Sequence, residues 1–281
     1  MLNLTLVLNY KTPATVSLAG EIRAYLERLG FGMDVPADKT GYSVADCEGH
    51  DFNGIDMAVV LGGDGTLLAV CRYLSAYNIP ILVVNMGKLG FLAEVEKDNI
   101  FAAIDKINNG EYFIEERMML DGIVKRNGEC VTNSLALNDF VVNDGEVSRS
   151  IILELFVDEE PVYSFRTDGL IVSTPTGSTA YSLSAGGPIV MPQMRLMIIS
   201  PICPHNFFSR PVIIDTESRV RIAFRSASGA CRLTADGQSR YMLERGDEII
   251  ITCSQRKTLL VRLKEPKFFT TLNTKLTKDH I

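Results

Sequence analysis

The sequence predicts an α/β N-terminal domain with a parallel, Rossmann-like sheet and a β-rich, sandwich-like C-terminal domain. Strand and helix patterns alternate over roughly the first 117 residues, as in parallel sheets that are covered by helices. Short strand patterns separated by turn signals follow, which is typical of packed antiparallel sheets. The chain of 281 residues is long enough for two such domains.

The first half contains three strand patterns and three helix patterns. The apolar run at 55–61 is bounded by glycines, as expected of a strand that is buried on both faces. Residues 14–29 carry apolar side chains three or four positions apart, which is the helical period, and Gly30 ends the pattern. In chain order the predicted elements are strand 4–8, helix 14–29, strand 55–61, helix 66–77, strand 81–84 and helix 99–108.

The second half is rich in strand patterns. Residues 220–224 alternate apolar and polar side chains, and Asp236-Gly237 and Gly246-Asp247 are turn signals. The predicted strands are 151–158, 162–165, 170–173, 220–224, 248–253 and 259–263. We therefore predict a first domain at 1–117, on which the tail 266–281 packs, a second domain at 118–265, and a ligand cleft between them.

Composition and charge argue against several classes of binding partner. The formal net charge is −6 and the sequence pI is about 5.2, so neither nucleic acid nor an anionic membrane is expected as a partner. The six cysteines form no Cys-x-x-Cys pair and the three histidines are scattered, which indicates reduced thiols and no zinc site. The N-terminal segment has no basic signal region and is too short to span a bilayer, so we expect a cytoplasmic protein.

A glycine-rich loop follows the predicted strand 55–61 and opens a helix. Its sequence is Gly62-Gly63-Asp64-Gly65-Thr66. Ligands of open parallel sheets bind beyond the carboxyl ends of the strands, and glycines at a helix N-terminus favour phosphate. A carboxylate repels phosphate, so Asp64 is expected either to hold Mg²⁺ or to take a proton from an attacking hydroxyl. The loop is not a Walker A motif, because no Gly-Lys-Ser/Thr follows it.

The loop resembles a signature shared by NAD kinases, diacylglycerol and sphingosine kinases, and phosphofructokinases, which implies phosphoryl transfer to a hydroxyl. Three further segments indicate which molecule accepts the phosphoryl group. They are Asn85-Met86-Gly87-Lys88-Leu89-Gly90-Phe91-Leu92, Asn138-Asp139, and Asp168-Gly169 with Ser173-Thr174-Pro175-Thr176-Gly177-Ser178-Thr179-Ala180-Tyr181-Ser182. Together these segments resemble the NAD kinase family over nearly the whole chain. The resemblance implies an enzyme that transfers the γ-phosphate of ATP to the 2′-hydroxyl of the adenosine ribose of NAD, giving NADP.

The resemblance also implies roles for the residues of the glycine loop. Asp64 is the catalytic residue that assists the attacking hydroxyl. The ATP phosphates lie over Gly62, Gly63, Gly65 and Thr66. A divalent metal ion, which we expect to be Mg²⁺, bridges the phosphates. The family pattern further implies a homodimer or homotetramer in which a neighbouring subunit lines the nicotinamide pocket.

Other residues are expected to bind the dinucleotide. The amide of Asn138 can read an adenine edge, and the carboxylate of Asp139 can accept hydrogen bonds from the vicinal ribose hydroxyls. By resemblance, Phe91 lies beside the adenine and phosphates, and Asp168 meets the nicotinamide end. The remaining implied contacts are Thr179, Ala180, Tyr181 and Ser184. Taken alone, an Asn-Asp pair is also common in ordinary strand-end turns.

Several alternatives remain open at this point. A lipid kinase shares the glycine loop but would need an apolar or basic membrane-facing surface, and a sugar kinase would leave the adenosine-reading segments unexplained. A protein that binds NAD without chemistry would not need Asp64. The sequence does not choose between NAD and NADH or between ATP and polyphosphate. Nor does it say which basic residue contacts phosphate among Lys88, Arg149, Arg166 and Arg210.

Overall fold

The computed structural model describes residues 2–10, 12–87, 90–144, 150–205, 209–227 and 230–278. The strands are β1 (Asn3–Leu8), β2 (Gly32–Asp34), β3 (Tyr42–Ser43), β4 (Met57–Gly62), β5 (Ile81–Asn85), β6 (Val95–Glu96), β7 (Phe113–Arg126), β8 (Glu129–Ala136), β9 (Asp139–Asp144), β10 (Ile151–Val157), β11 (Glu160–Thr167), β12 (Gly169–Ser173), β13 (Met197–Ile202), β14 (Val212–Ile214), β15 (Val220–Ala227), β16 (Cys231–Ala235), β17 (Ser239–Leu243) and β18 (Glu248–Arg262). The helices are α1 (Pro13–Arg28), α2 (Asp64–Leu74), α3 (Ile100–Asn108), α4 (Tyr181–Ser184) and α5 (Phe268–Lys278). No helix within these residues combines the length and apolar character that a membrane crossing requires.

The chain divides into two compact units. The first comprises Met1–Glu116 with Thr258–Ile281, and the second comprises Arg117–Lys257. Helix α5 therefore belongs to the first unit, although it follows the whole of the second unit in the sequence.

The first unit contains a parallel sheet, as predicted. Its strand order is β2–β1–β4–β5, and the end of β18 runs parallel to β5, where Leu260 pairs with Ile81. Every residue of β4 and β5 is buried, because the strands of such a sheet are covered on both faces. Helix α1 buries Ala19, Ile22 and Leu26 in the same core, so the helical spacing read from the sequence is confirmed.

Helix α2 begins earlier than predicted. The prediction placed it at 66–77, whereas the helix starts at Asp64. Gly63 precedes it with extended backbone, and the Gly63 carbonyl oxygen accepts the N–H group of Thr66. The chain thus turns from β4 into the helix within one residue, and Asp64 lies in the first helical turn.

The second unit consists of two antiparallel sheets. The first has the order β11–β10–β15–β18 and also contains β7 and β8, and the second has the order β14–β13–β12–β9–β16–β17. Side chains from both sheets share one core, which contains Phe140 and Val142 from β9 and Leu153 and Leu155 from β10. Two sheets about a shared core form a sandwich-like arrangement, and the antiparallel C-terminal domain is confirmed.

Strand β18 corrects the prediction. The segments predicted as separate strands at 248–253 and 259–263 are one strand, Glu248–Arg262. The exposed residues Gln255, Arg256 and Lys257 interrupt the apolar pattern but stay in the strand, because the side chains of an antiparallel strand can face water. The strand residues from Thr258 onwards belong to the first unit, whereas the predicted domain boundary is at 265.

The hairpin of β7 and β8 is absent from the prediction. Its turn is Asn127-Gly128, and both residues have positive φ, 53° and 85°. An Asn-Gly pair is the strongest short-range hairpin signal in a sequence. Most residues of β8 are exposed or half-buried, so the apolar alternation around the turn is weak and the pattern was missed.

Candidate active site

The glycine loop joins β4 to α2 and leaves part of its backbone open. A side chain at Gly62 would overlap the side chain of Thr66, so this glycine is required for packing. A side chain at Gly63 or Gly65 would meet no atom within 4 Å. The first turn of a helix has N–H groups without intrahelical partners, and the helix dipole makes this end positive. The open backbone at Gly63 and Gly65 therefore lies where a phosphate group binds well.

The carboxylate of Asp64 is held by the segment that follows β5. Oδ2 accepts the N–H group of Phe91 at 2.7 Å, and Oδ1 accepts that of Leu92 at 3.1 Å. A side chain at Gly90 would overlap this carboxylate. Two backbone donors thus fix the direction of Asp64. Since an ionised carboxylate has about four acceptor positions, it retains capacity for a hydroxyl proton or a cation.

A buried ion network anchors the segment that holds Asp64. The guanidinium of Arg262 donates to the carbonyl oxygen of Leu92 at 3.1 Å, to Glu94 at 3.1 Å and to Glu115 at 2.7 Å. The side chains of Arg262, Glu94 and Glu115 are 5%, 7% and 7% exposed. Leu92 is therefore fixed at its carbonyl group by Arg262 and bound to Asp64 through its N–H group. No local sequence pattern predicts this network, because its members are far apart in the chain.

The C-terminal helix reaches the same segment. The Nζ atom of Lys275 in α5 lies 4.2 Å from the centroid of the Phe91 ring, which is within the range of a cation–π contact. Of the basic residues considered from the sequence, Lys88 and Arg149 lie outside the described residues. Arg166 and Arg210 belong to the second unit. Lys275 was not among the candidates, although it lies in the tail 266–281 that was expected to pack on the first domain.

The predicted adenosine contacts meet at a cavity in the second unit. Its volume is about 320 Å³. Its lining comprises Asn138, Asp139, Val141, Asn143, Ala180, Tyr181, Thr234, Asp236 and Gly237. Asp139, Val141 and Asn143 face the cavity, whereas Phe140 and Val142 belong to the core. This division follows the two-residue period of a strand.

The Ser- and Thr-rich loop after β12 is bound to the two residues that link β8 to β9. The N–H group of Thr174 donates to the carbonyl oxygen of Asn138 at 2.9 Å, and the Thr174 hydroxyl donates to that of Leu137 at 2.6 Å. A side chain at Gly177 would overlap the backbone of Asn138. These contacts bring Tyr181 to the cavity, where the residue is 43% exposed.

Four of the predicted dinucleotide contacts are not in the cavity lining, namely Phe91, Asp168, Thr179 and Ser184. Thr179 ends the short helical turn at 176–179 that precedes α4, and Ser184 lies in α4 together with Tyr181. Neither Thr179 nor Ser184 lines the cavity. Asp168 precedes β12, and its N–H group donates to the carbonyl oxygen of Ile202 at 3.0 Å. The loop that carries Tyr181 begins after the other end of β12. At about 3.3 Å per residue, the two ends of this strand lie roughly 15 Å apart.

Asp236 is a cavity residue whose role the sequence analysis missed. The expected turn at Asp236-Gly237 is present between β16 and β17. In addition, the Asp236 carboxylate accepts three backbone N–H groups, those of Leu137, Asn138 and Asp139, at 2.8, 2.7 and 3.1 Å. Burial, and secondarily the charge of Asp236, raise the pKa of the Asp139 carboxyl to about 7. A turn signal predicts local backbone shape only, so these long-range contacts were not visible in the sequence.

Comparisons with known proteins agree over both halves of the chain. Residues 8–112 match the family model for the ATP-NAD kinase N-terminal domain, and residues 137–263 match that for the C-terminal domain. A NAD kinase of Thermoanaerobacter sp. (strain X514) is 42% identical over 246 residues, which are 87% of this chain and 87% of that protein. The chain belongs to the NAD kinase family. The resemblance read from the sequence is thus confirmed, and the protein is a phosphotransferase, as predicted.

Solved structures of this family share the fold. A crystal structure of yeast NADH kinase complexed with NADH matches with a TM-score of 0.83 and 25% identity, over 100% of this chain and 89% of that chain. An NAD kinase from Archaeoglobus fulgidus in complex with ATP matches with a TM-score of 0.76 and 27% identity, over 98% of this chain and 99% of that chain. The order of an α/β region followed by an antiparallel β region is therefore that of NAD kinases.

Proposed function

We propose that this enzyme transfers the γ-phosphate of ATP to the 2′-hydroxyl of the adenosine ribose of NAD, with Asp64 as the residue that accepts the hydroxyl proton. Membership of the NAD kinase family supports ATP and NAD as the substrates. The observation that carries the role of Asp64 is its carboxylate, held by Phe91 and Leu92 beside the open backbone of Gly63.

ATP is proposed to bind with its phosphates over the glycine loop. Gly63 and Gly65 leave the backbone open, and the N-terminus of α2 supplies N–H donors and positive potential. In this proposal Gly62 and Thr66 serve by packing against each other, so that the turn into the helix stays tight. Lys275, which lies over Phe91, adds a positive charge beside the same segment.

A divalent metal ion takes part in the kinase chemistry of this family, and we propose Mg²⁺. Mg²⁺ is usually bound through one or two carboxylates together with substrate phosphates. A single carboxylate, Asp64, stands in the glycine loop, and no group of three or more metal-binding side chains occurs within the part of the chain that the structure describes. The residues present therefore fit an ion that is held mainly by ATP. When bound, the ion neutralises negative charge on the phosphates.

The adenosine of NAD is proposed to bind at the cavity of the second unit. Asn138 reads the adenine edge, and Asp139 accepts hydrogen bonds from the ribose hydroxyls. The exposed ring of Tyr181 offers a stacking surface, and Ala180 is small enough to let the ligand approach. The other proposed contacts are Thr179, Ser184, Phe91 for the adenine and phosphates, and Asp168 for the nicotinamide end.

The transfer itself needs little covalent chemistry from the protein. As the ribose oxygen forms its bond to the γ-phosphorus, its proton passes to Asp64, and the bond from the γ-phosphorus to the bridging oxygen breaks to release ADP. Most of the acceleration is expected from alignment and charge neutralisation, as is general for phosphoryl transfer. The two N–H groups that orient Asp64 contribute to that alignment.

We also propose a homodimer or homotetramer in the cytoplasm. Asp168 lies outside the lining of the Asn138 cavity, which is compatible with a nicotinamide pocket that a second subunit completes. All six cysteines are free thiols, as expected in a reducing compartment.

A coupled assay tests the proposed reaction. Purified protein is incubated with ATP, Mg²⁺ and NAD, and NADP is measured with an NADP-specific dehydrogenase. We expect NADP only when all components are present, and no phosphorylated product when a diacylglycerol replaces NAD. Product from the lipid but none from NAD would contradict the proposal, and so would tight NAD binding without turnover. Parallel reactions with NADH or polyphosphate define the acceptor and the donor.

A further inference from the structure

We propose that Asp236 is a positioning residue for NAD, because its carboxylate fixes the backbone from which Asn138 and Asp139 reach the cavity. This inference rests on the proposed function, in which Asn138 and Asp139 bind the adenosine of NAD. It adds a residue that belongs to another strand pair and that the sequence identified only as a turn.

Both oxygens of the Asp236 carboxylate accept backbone hydrogen bonds. Oδ2 accepts the N–H group of Leu137 at 2.8 Å, and Oδ1 accepts those of Asn138 and Asp139 at 2.7 and 3.1 Å. Three consecutive peptide groups, at the link from β8 to β9 and the first residue of β9, therefore point towards one carboxylate. Hydrogen bonds to an ionised acceptor are about twice as strong as those between neutral groups, so the backbone here has little freedom to rotate.

The backbone of Asp236 is tied to the same strand. Its N–H group donates to the carbonyl oxygen of Asp139 at 2.9 Å, while its carboxylate accepts the N–H group of Asp139. The turn that presents Asp236 is tight, since Asp236 and Gly237 have φ values of 52° and 65° and the N–H group of Gln238 bonds to Ala235 at 2.9 Å. The hairpin of β16 and β17 thus acts as a fixed support for residues 137–139, where the chain enters β9.

A carboxylate suits this position better than a neutral side chain. Three donors need at least two acceptor atoms, and an asparagine would offer one oxygen and direct its NH₂ group at a backbone N–H group. A donor left without its partner in a buried place is unfavourable, so the backbone at 137–139 would move. The side chains of Asn138 and Asp139 would move with it, although neither is changed.

The charge of Asp236 also acts on Asp139. Burial raises the pKa of the Asp139 carboxyl, and the negative charge of Asp236 raises it further, to about 7. The residue paired with Asp139 on β12, Ser173, and its chain neighbours Asn138 and Phe140 are uncharged. Asp236 is therefore expected to set both the direction of Asp139 and the pH at which it becomes a full acceptor for ribose hydroxyls.

The test compares Asp236→Asn with Asp215→Asn in the full-length enzyme. Asp215 also binds a turn N–H group, that of Glu217 at 2.8 Å, but it is exposed and does not line the cavity. KM for NAD, KM for ATP and kcat are measured from pH 6 to pH 8.5, with thermal unfolding as a check on folding.

For Asp236→Asn we expect a rise in KM for NAD of about tenfold or more, an unchanged KM for ATP and a smaller change in kcat. The midpoint of the pH dependence of KM for NAD should shift to lower pH, and Asp215→Asn should match the wild type.

Each outcome has a defined meaning. A folded Asp236→Asn protein whose KM for NAD lies within twofold of the wild type overturns the positioning role, as does an equal rise in the KM values of NAD and ATP. If this variant does not fold, Asp236→Glu, whose extra methylene group displaces both acceptor oxygens from the three N–H groups, is judged by the same criterion. Absence of NADP formation by the wild type would refute the proposed function instead, so the two failures are distinguishable.

Discussion

Gly90 lies directly against Asp64, so that any side chain at position 90 would overlap the Asp64 carboxylate. The same turn supplies the two N–H groups, from Phe91 and Leu92, that hold this carboxylate. Gly90 is thus the residue that allows the turn to approach Asp64 closely enough to bind it. The glycine loop and the segment after β5 form one local structure around a single carboxyl group.

Replacing Gly90 with alanine is expected to displace Asp64 and to lower kcat by roughly 10- to 100-fold, because small misplacements of a catalytic group are costly. Gly87→Ala is the matched control. It lies in the same segment, where an added side chain meets no atom within 4 Å. Steady-state kinetics with NAD and ATP distinguish the two variants. Equal kcat values for both would show that the close approach at Gly90 does not matter for turnover.

Replacing Asp64 with asparagine keeps the shape of the side chain and removes the base. We expect a loss of activity of about two orders of magnitude or more, with NAD binding largely kept. Asp38→Asn, which alters an exposed carboxyl group in the same unit, is the control and should remain fully active. The coupled assay measures turnover, and calorimetry measures NAD binding. Near-normal turnover of the Asp64→Asn protein would rule out Asp64 as the base.

The buried Asp139 is expected to make stability and NAD binding respond to pH in opposite directions. Its pKa in the folded protein, about 7, is above the ordinary value of 3.8. The folded state therefore loses stability as the pH rises from about 4 through 7, because the charge must form in a buried place. NAD binding should improve over the upper part of this range, since the ionised form is the better acceptor for hydroxyl groups.

Asp139→Asn tests this prediction. At pH 8 the variant should have a higher free energy of unfolding than the wild type, by on the order of a few kcal/mol, with the difference shrinking towards pH 4. Its KM for NAD should be higher than that of the wild type and nearly independent of pH. Chemical denaturation at pH 4, 6 and 8 measures the stability. A wild-type protein whose stability increases steadily from pH 4 to pH 8 relative to the variant would contradict the assignment.

Arg126 and Asp247 form an ion pair whose loss should destabilise the second unit. Arg126 binds both oxygens of Asp247 at 2.8 Å, and the Asp247 side chain is 1% exposed. Burial raises the pKa of Asp247, but Arg126 and the N–H group of Glu244 lower it more, so the pKa stays below its usual range. The stabilisation is thus present above the ordinary carboxyl pKa and is lost as the pH falls through the lowered value.

Arg126→Ala is expected to lower the free energy of unfolding at pH 7, because it leaves the carboxylate of Asp247, whose side chain is 1% exposed, without its guanidinium partner. Arg23→Ala breaks an exposed pair with Glu27, at 2.9 Å, and should cost about 0.5 kcal/mol or less. Denaturant unfolding at pH 7 and pH 3 measures both effects, and the effect of Arg126→Ala should be smaller at pH 3. Equal costs for the two variants would show that burial of Asp247 adds nothing to the pair.

Local patterns determined much of the fold prediction. The apolar runs at 55–61 and 81–84 predicted buried parallel strands, and the spacing of Ala19, Ile22 and Leu26 predicted α1, because burial on a regular element leaves a periodic trace in the sequence. The hairpin of β7 and β8 and the continuity of β18 were missed, since exposed strands carry little apolar alternation.

The sequence by itself determined the chemical type of this protein. A carboxylate among glycines after a buried strand, an Asn-Asp pair and a long Ser- and Thr-rich loop specify which groups are available, and their order identifies the family. The tertiary structure alone decided what holds those groups in place. The N–H groups of Phe91 and Leu92 hold the carboxylate of Asp64, and the carboxylate of Asp236 holds the N–H groups of Asn138 and Asp139. The reason is that these hydrogen bonds join residues that are 27 to 98 positions apart. The direction of a hydrogen bond depends on how strands and turns meet in space, and no local pattern records that.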